Sequence, residues 1–448
     1  MESAMLDRQA REDLAQRVLA YSPADETEVV LCCEDSGLTR FTHNTVHQNV
    51  ASSDVTIRVR AVTDRRVGIA VTNELHARAL ELTAQRAYEL SRLAPRDLAF
   101  PGLSASPSVP TPAGALFAST AHATPEIRAQ LASHVFSVSE TEALWAAGFV
   151  ANTHAGVTIA NSAGTLNSFE GSDASINVKQ NAPDSTGFAQ QLSHDIDDIN
   201  AARTASIAGM KAQASHGPVH VEPGAWTVIL EPAAFGEFLS HFLDHFSAQA
   251  LDEGWSFLTG GLNKSYFNEN VTILDDYSHP SAVGMPFDFE GTPKTKVTLV
   301  EAGAVRSVVS DSYWAHKLHI PNTGHALPAP SPEGPQATNA VVLPGHKSTE
   351  QLIAETKRGL LVSRFWYIRT VDQHRAIITG MTRDGTFLIE DGKITRGVTN
   401  MRFNQSIIEA LRNVEFSSET ARTGAYDFGL VVPTAKITGF RFSSGTEF

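Results

Sequence analysis

Two histidines one helical turn apart, His241 and His245, lie in a stretch whose apolar periodicity predicts a helix. Helices use this spacing to bind transition metals, and Glu237, one turn earlier, is a third potential ligand. Glu237 and His245 are eight residues apart, which corresponds to about 12 Å along a helix axis and is too far for both to bind one ion. A metal site here therefore uses His241 and His245 with ligands from elsewhere in the chain. In the alternative interpretation, both imidazoles are half-buried and hydrogen-bonded to neighbouring groups.

A strand followed by a long helix is predicted to position these histidines. The β-branched apolar run at residues 226–230 is typical of a buried strand, and Pro232 stands where a following helix begins. We expect the helix to occupy residues 233–250. Its apolar side chains recur at three- and four-residue intervals and form one stripe that faces a core, namely Phe235, Phe238, Leu239, Phe242 and Phe246.

The composition indicates an acidic protein of two or three domains. The 448 residues include 35 lysines and arginines against 49 aspartates and glutamates, for a formal net charge of −14. No polybasic block occurs, which argues against nucleic acid as a partner. No run of 18 apolar residues occurs either, and the first eight residues lack the pattern of a secretion signal. We therefore expect a cytoplasmic protein with no membrane partner.

The chain has two cysteines, Cys32 and Cys33, which are neighbours in an apolar run. Adjacent side chains on a strand point to opposite faces of a sheet. This arrangement excludes a CxxC site and a disulfide framework, and it favours two small core residues.

Turn and linker signals divide the chain into four parts. Residues 1–94 are predicted to form an α+β domain with an antiparallel meander, whose turns lie at 35–37, 43–44 and 63–66, and a helix that begins at Asn73. Residues 95–115 form a proline-rich linker. Residues 116–217 form a second α+β unit, and residues 218–448 form a larger, mostly β domain.

The last domain carries three further local signals. Asp384-Gly385 and Asp391-Gly392 each predict a hairpin turn. Ser348 and Gln351 have the spacing of a capping box, which predicts a helix that ends at Gly359. The proline-rich segment 321–335 predicts an exposed loop at the rim of the domain, and His325 in this loop is a candidate functional residue.

Several well-known catalytic motifs are missing from the sequence. None of the 17 histidines is followed by glutamate, so no HExxH helix of the usual zinc hydrolase type is present. The patterns GxGxxG, GxxxxGK[ST] and GxSxG are also missing. Residue types and spacing by themselves indicate a multi-domain protein without an autonomous catalytic motif.

A set of short segments, each occurring once, is spread in order along nearly the whole chain. They are residues 39–44, 47–50, 254–257, 323–327, 338–339, 344–345, 357–362, 366–369, 380–385, 390–393 and 400–404. Together these segments resemble the TldD/PmbA family, and specifically its TldE (PmbA) branch. The resemblance implies an α+β fold, in which an N-terminal α/β region of antiparallel meanders and helices precedes a larger, barrel-like, β-rich C-terminal domain. It also implies assembly into dimers around an enclosed cavity.

The resemblance bears directly on the histidine pair. In the family, the TldD subunit holds a metal through an HExxxH helix and a distant C-terminal cysteine, and TldE pairs with TldD. In this chain Ser240 takes the place of the first histidine, His241 that of the glutamate and His245 that of the second histidine. No cysteine follows Cys33. The resemblance therefore implies a partner subunit without a metal of its own, which pairs with a TldD-like chain that holds the metal, expected to be zinc.

Three functional hypotheses follow. In the leading one, this chain completes the substrate cavity of a TldD-type metallopeptidase, as a heterodimer or larger assembly, and forms a homodimer when alone. Its substrates are then unfolded or modified peptides, and the residues expected near the cavity are Arg40, Asn44, His47 and His325. The second hypothesis is a self-sufficient metallohydrolase that binds a metal through His241 and His245. In the third, the chain belongs to a natural-product pathway and processes a small peptide-like conjugate.

Overall fold

The first half of the chain forms one antiparallel sheet of six strands in the computed structural model, which describes residues 5–423 and 429–446. The strands are β1 (Glu26–Thr42), β2 (Thr45–Thr63), β3 (Arg66–Thr72), β4 (Trp145–Asn161), β5 (Leu166–Asn181) and β6 (Thr186–Ser193). Their order in the sheet is β3-β2-β1-β4-β5-β6. Strands from residues 1–94 and 116–217 therefore share one sheet through the pairing of β1 with β4. The division of these residues into two units stays a prediction.

Helices cover one face of this sheet. They are α1 (Arg8–Tyr21), α2 (Ala77–Leu93), α3 (Ala118–Ala121), α4 (Pro125–Thr141) and α5 (Ala201–Ala214). Along β1, Leu31 and Cys33 pack toward α1 and α2, whereas Val30 and Cys32 pack on the opposite face against the C-terminal domain. The prediction that the two cysteines face opposite sides is thus confirmed. The prediction for the start of α2 was wrong, because its N-cap is His76, whose side chain accepts from the Ala79 N–H.

The turn predicted at residues 35–37 does not occur. Strand β1 runs straight through this segment because both of its edges are paired there, with Gly37 opposite Ala51 of β2 and Asn152 of β4. A side chain at Gly37 would collide with the guanidinium of Arg128, which lies across the strand. The glycine is therefore required by a close approach and not by a turn.

The C-terminal half contains eleven strands, five of which close into a ring. The strands are β7 (Gly224–Leu230), β8 (Ile273–Asp275), β9 (Val297–Glu301), β10 (Ala304–Val305), β11 (Ala340–Val342), β12 (Arg358–Asp372), β13 (Ile377–Glu390), β14 (Lys393–Gly397), β15 (Met401–Ser406), β16 (Val414–Thr423) and β17 (Leu430–Gly445). The ring order is β7-β12-β13-β15-β17, and β17 pairs back with β7. The predicted α+β fold with a barrel-like C-terminal domain is therefore confirmed.

Phenylalanine side chains fill the core that the five-stranded ring encloses. The helices of the domain are α6 (Pro232–Ser240), α7 (Ala248–Asp252), α8 (Ser312–Leu318), α9 (Thr349–Ala354) and α10 (Ile407–Arg412). From α6, the fully buried Phe238 contacts Phe365 of β12, Phe403 of β15 and Phe440 of β17, with ring centroids 5.9 to 6.5 Å apart. These contacts fix the rotation of α6 relative to the barrel.

The long helix predicted for residues 233–250 is interrupted. Helix α6 ends at Ser240, a 3₁₀ turn follows at Leu243–Phe246, and α7 begins at Ala248. The apolar stripe nevertheless is buried as predicted, because Phe242 and Phe246 turn into an aromatic cluster with Phe257 and Phe267. Burial of these aromatic rings compensates for the helical hydrogen bonds that are lost where the helix is interrupted.

Two of the local features predicted for this domain differ in the structure. Asp384 and Gly385 lie inside β13 and form a β-bulge with positive φ at both residues, not a hairpin turn. The capping box at Ser348 is present, but α9 ends at Ala354 and Gly359 lies in β12. Asp391-Gly392, in contrast, forms the predicted tight turn between β13 and β14.

Replacing Phe242 by alanine should lower the free energy of unfolding by about 3 to 5 kcal/mol, since the ring is buried among aromatic partners that cannot fill the space. Urea denaturation monitored by tryptophan fluorescence measures this change. The matched control is Leu93→Ala, at a leucine whose side chain is 83% exposed, and it should have little effect. Equal losses in both variants would contradict the assignment of Phe242 to the core.

Candidate functional site

A cavity of about 720 Å³ lies between the first sheet and the C-terminal domain. One wall comes from β4, β5 and β6, and the other comes from α6, the residues just after it and β12. Its polar lining side chains are Thr153, Asp173, Ser175, Asn177, Gln190, Glu237, Ser240, Asp244, Gln336, Arg364 and Thr423. Apolar side chains such as Phe149, Ile176 and Leu192 line the same space. A volume and mixture of this kind suit a small organic ligand or a short peptide.

A second cavity, of about 710 Å³, adjoins the first. Asp173, Asp244 and Gln336 line both cavities and therefore form their common border. The second cavity extends toward Cys32 and Lys294. The two cavities together define the candidate site, which is built from both halves of the chain.

Helix α6 supplies the acidic edge of the first cavity. Glu237 and Ser240 are three residues apart and share the helix face opposite Phe238, and Asp244 continues the same edge. Burial raises the pKa of Glu237 to about 7, against the opposing effects of Arg364 and of the Phe365 N–H. Burial also raises the pKa of Asp244, and Glu333 adds to this shift. Glu237 can therefore hold or release a proton near neutral pH.

A partly buried ion pair lies at the border of the two cavities. Arg422 donates from Nη2 to Asp173, and the two side chains are 6% and 8% exposed. Burial raises the pKa of Asp173 to about 6, although Arg422 acts to lower it. His194 lies beside this pair, with Nδ1 2.9 Å from the Ser172 carbonyl oxygen, and burial lowers the pKa of His194 to about 4. The imidazole is therefore neutral at physiological pH.

The residues at the family's metal-helix positions do not form its ligand set. The Ser240 hydroxyl donates to the Glu237 carbonyl oxygen at 2.8 Å. The His245 ring is buried against Phe242, Trp255 and Phe257, and this burial lowers its pKa to about 4. Across residues 5–423 and 429–446, no three His, Cys, Asp or Glu side chains are grouped in a way that can hold a metal ion.

Burial also lowers the pKa of His241, which caps the C-terminus of α6. Because the helix ends here, His241 and His245 do not follow one another on a single helical face. The metal pair suggested by the sequence requires His241 and His245 to lie one turn apart on a continuous helix, and in the structure this helix is interrupted between them. Within the described residues, His245 is fully buried rather than half-buried, and its Nδ1 has no hydrogen-bond partner.

Three of the residues predicted near the cavity lie on the β1–β2 hairpin. Arg40 and His47 are exposed, and His47 lies at a β-bulge opposite Arg40. Asn44 occupies the turn with φ of 55° and fastens it to β4, since its amide donates to the Leu144 carbonyl and accepts from the Ala146 N–H. None of the three lines either cavity in the part of the chain that the structure describes. Their proximity to substrate stays a prediction.

His325 is buried together with Gly324 and Ala326, so the predicted exposure is wrong for this part of the loop, whereas Pro330 and Pro332 are exposed as predicted. Its Nε2 lies 3.0 Å from an Asp275 oxygen, and its Nδ1 lies 2.9 Å from the Thr323 carbonyl. Burial acts to raise the pKa of Asp275, but the hydrogen bond and charge of His325 outweigh it and bring the pKa below the usual value. His325 thereby fixes a loop whose neighbours Leu327 and Gln336 line the second cavity.

Sequence reasoning found part of this site and missed part of it. Glu237 and Ser240 were noted because they lie on the predicted helix. Asp173 and Arg422 were missed, and they are 249 residues apart. For Asp173 a signal existed, since a carboxylate in the middle of a strand among small residues is unusual. For Arg422 we find no local signal.

Family models match two parts of the chain. A PmbA/TldA metallopeptidase C-terminal domain matches residues 223–444, and a PmbA/TldA metallopeptidase domain 1 matches residues 34–91. The fold and the matched domains place the chain among proteins that are related to metallopeptidases. The chain belongs to the PmbA/TldD family.

Individual relatives agree with this membership. The chain is 27% identical over 245 residues to a metalloprotease of Methanothermobacter thermautotrophicus, which covers 53% of this chain and 51% of the relative. It is 26% identical over 244 residues to a metalloprotease TldD homolog of Haemophilus influenzae, which covers 52% and 48%. The matched segment thus spans about half the length of these relatives.

The fold is also similar to a solved structure. TldE from Thermococcus kodakarensis superposes with a TM-score of 0.85 at 20% identity, over 97% of this chain and 99% of that one. At this identity the similarity establishes the fold. Among the residues described, no helix has the length and apolar character needed to cross a membrane.

Replacing Glu237 by glutamine should raise the free energy of unfolding by about 2 kcal/mol at pH 8 and change it little at pH 4. The folded state binds the Glu237 proton more tightly than the unfolded state does, because the pKa is raised to about 7. Unfolding therefore releases a proton between the two pKa values, and stability falls as the pH rises through this window. Glutamine has no proton to lose.

Urea denaturation at both pH values measures the effect, with the exposed Glu269→Gln as the control. An equal effect of Glu237→Gln at pH 4 and pH 8 would show that folding does not raise the pKa of Glu237.

Proposed function

We propose that this chain is a metal-free, TldE-like partner subunit that completes the substrate cavity of a TldD-type metallopeptidase. The substrates are unfolded or modified peptides. The assembly is a cytoplasmic heterodimer or a larger complex, and the chain forms a homodimer in the absence of its partner. The TldD-like chain holds the metal, which we expect to be zinc and which polarises the scissile carbonyl and activates water.

One observation carries this proposal. The helix that holds the metal in the TldD branch corresponds to α6 in this chain, and α6 forms a wall of the cavity. At the three decisive positions this wall has Ser240, His241 and His245, of which Ser240 lines the cavity and His245 is buried among aromatic rings. No cysteine follows Cys33. The chain thus keeps the wall of a chamber and lacks the ligand set.

The remaining cavity residues can bind and orient a peptide. Phe149 and Leu192 offer apolar contacts, whereas Gln190 and Gln336 offer amide groups that hydrogen-bond to a peptide backbone. The carboxyl group of Glu237 can donate or accept a proton at neutral pH. These groups favour a binding role, in which the partner supplies the bond-breaking step.

The chain purified without a histidine tag should contain no stoichiometric transition metal, because His241 without further strong ligands holds an ion weakly. Elemental analysis by mass spectrometry measures the content, and the TldD-like partner prepared in the same way is the positive control. About one zinc or iron per chain, lost on His241→Ala, would establish the self-sufficient metallohydrolase instead.

Co-expression with a TldD-like chain from the same source should give a stable complex that buries more than about 2,000 Å², as expected of an obligate assembly. Hydrolysis of an unfolded or short peptide should appear only with the complex and should stop on addition of a chelator. It should also stop when the HExxxH histidines of the partner are changed.

The same activity should survive His241→Ala in this chain, which is the matched control for the partner's histidines. Separate elution of the two chains at micromolar concentration would refute the proposal. Equal peptide hydrolysis by this chain alone would refute it as well.

A further inference from the structure

Among the described residues, Arg422 has two buried nitrogens without a hydrogen-bond partner, whereas Arg58, Arg60 and Arg364 have one each. Its Nη2 pairs with Asp173, but among the described residues its Nε and Nη1 have no partner, and both are shielded from bulk solvent. An arginine side chain carries five N–H donors, and leaving such donors unpaired in a buried site is unfavourable. The side chain is 6% exposed and lines the second cavity at its border with the first.

Two other buried arginines provide an internal comparison. Arg11 donates from all three nitrogens, to Thr158, Leu6 and Glu170 among others. Arg128 also donates from all three, to Thr39, Asn152 and Asn49 among others. Both lie away from the two cavities. Arg11 and Arg128 are thus fully bonded, and Arg60 leaves only its Nε unpaired among the described residues. Arg422, at the cavity wall, leaves two nitrogens unpaired.

The neighbours of Arg422 leave part of its hydrogen-bonding capacity unused. Asp173 carries the opposite charge at pH 7.5, because burial raises its pKa only to about 6, but it pairs with Nη2 and leaves Nε and Nη1 without a partner among the described residues. The neutral His194 also lines the cavity, and its Nε2 has no partner within residues 5–423 and 429–446. Lys294 is engaged elsewhere, because it donates to Thr338 and Asn339. Arg422 thus has unused N–H donors and His194 has an unused acceptor nitrogen, all shielded from solvent by the wall of the second cavity.

We propose that Arg422 binds the free carboxylate of a small peptide or peptide-like conjugate inside the shared cavity. A carboxylate matches a guanidinium in charge and in hydrogen bonding, and the low polarity of the walls strengthens the interaction. Glu237, which lines the first cavity and not the second, disfavours the carboxylate at the α6 wall. This inference rests on the proposed function, since it takes the cavity as the substrate chamber.

Asp173 competes with the ligand for the guanidinium, and this competition makes the proposal testable. Removing the Asp173 charge should free Arg422 and strengthen binding of a free carboxylate. Removing the Arg422 charge should abolish the preference for a free carboxylate. An ion pair with a structural role alone predicts the same direction of change for both variants.

The test uses the full chain and the tripeptide Ala-Ala-Phe, as the free acid and as the C-terminal amide, in calorimetric titrations at pH 7.5. The free acid should bind the unchanged chain about tenfold more tightly than the amide, which corresponds to one charge-assisted hydrogen-bonded contact. Arg422→Gln should make the two affinities equal. Asp173→Asn should widen the preference beyond tenfold, and the exposed Arg396→Gln should leave it unchanged.

Equal affinities for acid and amide in the unchanged chain would overturn the inference, as would no binding of either form at millimolar concentration. A preference that Arg422→Gln retains would overturn it too. If Arg422→Gln does not fold, the opposite effect expected for Asp173→Asn decides. A complex with the TldD-like chain that hydrolyses acid and amide forms equally would refute this inference alone, whereas failure to form the complex would refute the proposed function.

Discussion

The closed ring of five strands is the constraint on which the site depends. Strand β7 is bonded to β12 on one side and to β17 on the other, so the chain leaves the barrel at Leu230 in a fixed direction. Pro232 then starts α6 at once. Because Phe238 is packed among the barrel phenylalanines, the opposite face of α6 must look outward, toward the first sheet. Glu237 and Ser240 occupy that face, and the cavity begins there.

The second determinant of the site is how the two halves of the chain are held together. Four ion pairs cross between them within the described residues: Asp173 with Arg422, Lys179 with Asp384, Arg60 with Glu290, and Lys211 with Glu231. The β-bulge in β13 has a role in this contact, because it lets Asp384 pair with both Lys179 and Arg364. Apolar packing of Val30 and Phe169 against Val283 and Phe287 adds to the junction. Buried pairs of this kind contribute more to a defined orientation than to stability, and that orientation sets the shape of the cavity.

Membership in the PmbA/TldD family and the geometry of α6 are best considered together. Helix α6 provides one wall of the first cavity, with the Ser240 hydroxyl and acidic groups with raised pKa values. Arg422, with its unpaired donors, lines the adjoining second cavity. The His325 loop, which carries a family motif, supports the chamber through its buried bond to Asp275. Its contribution is to the shape of the second cavity.

The sequence by itself determined the local features whose causes are local. Pro232 and the Ser348 capping box mark helix starts, Asp391-Gly392 forms a hairpin because both residues accept positive φ, and alternation along a strand separates Cys32 from Cys33. The order of short motifs also identified the family. These features depend on backbone conformation and on a two- or four-residue period, which neighbours in the chain specify.

Tertiary structure decided the features that depend on partners far away in the chain. The aromatic cluster around Phe242 ended a helix that periodicity alone would continue, and pairing on both edges carried β1 through a turn signal at Gly37. Burial gives His325 a structural role within its loop. Asp173 and Arg422 met only because the first sheet packs on the barrel. Long-range burial outweighs local preference by several kcal/mol for each large side chain, so no local pattern could have predicted that Asp173 and Arg422 meet.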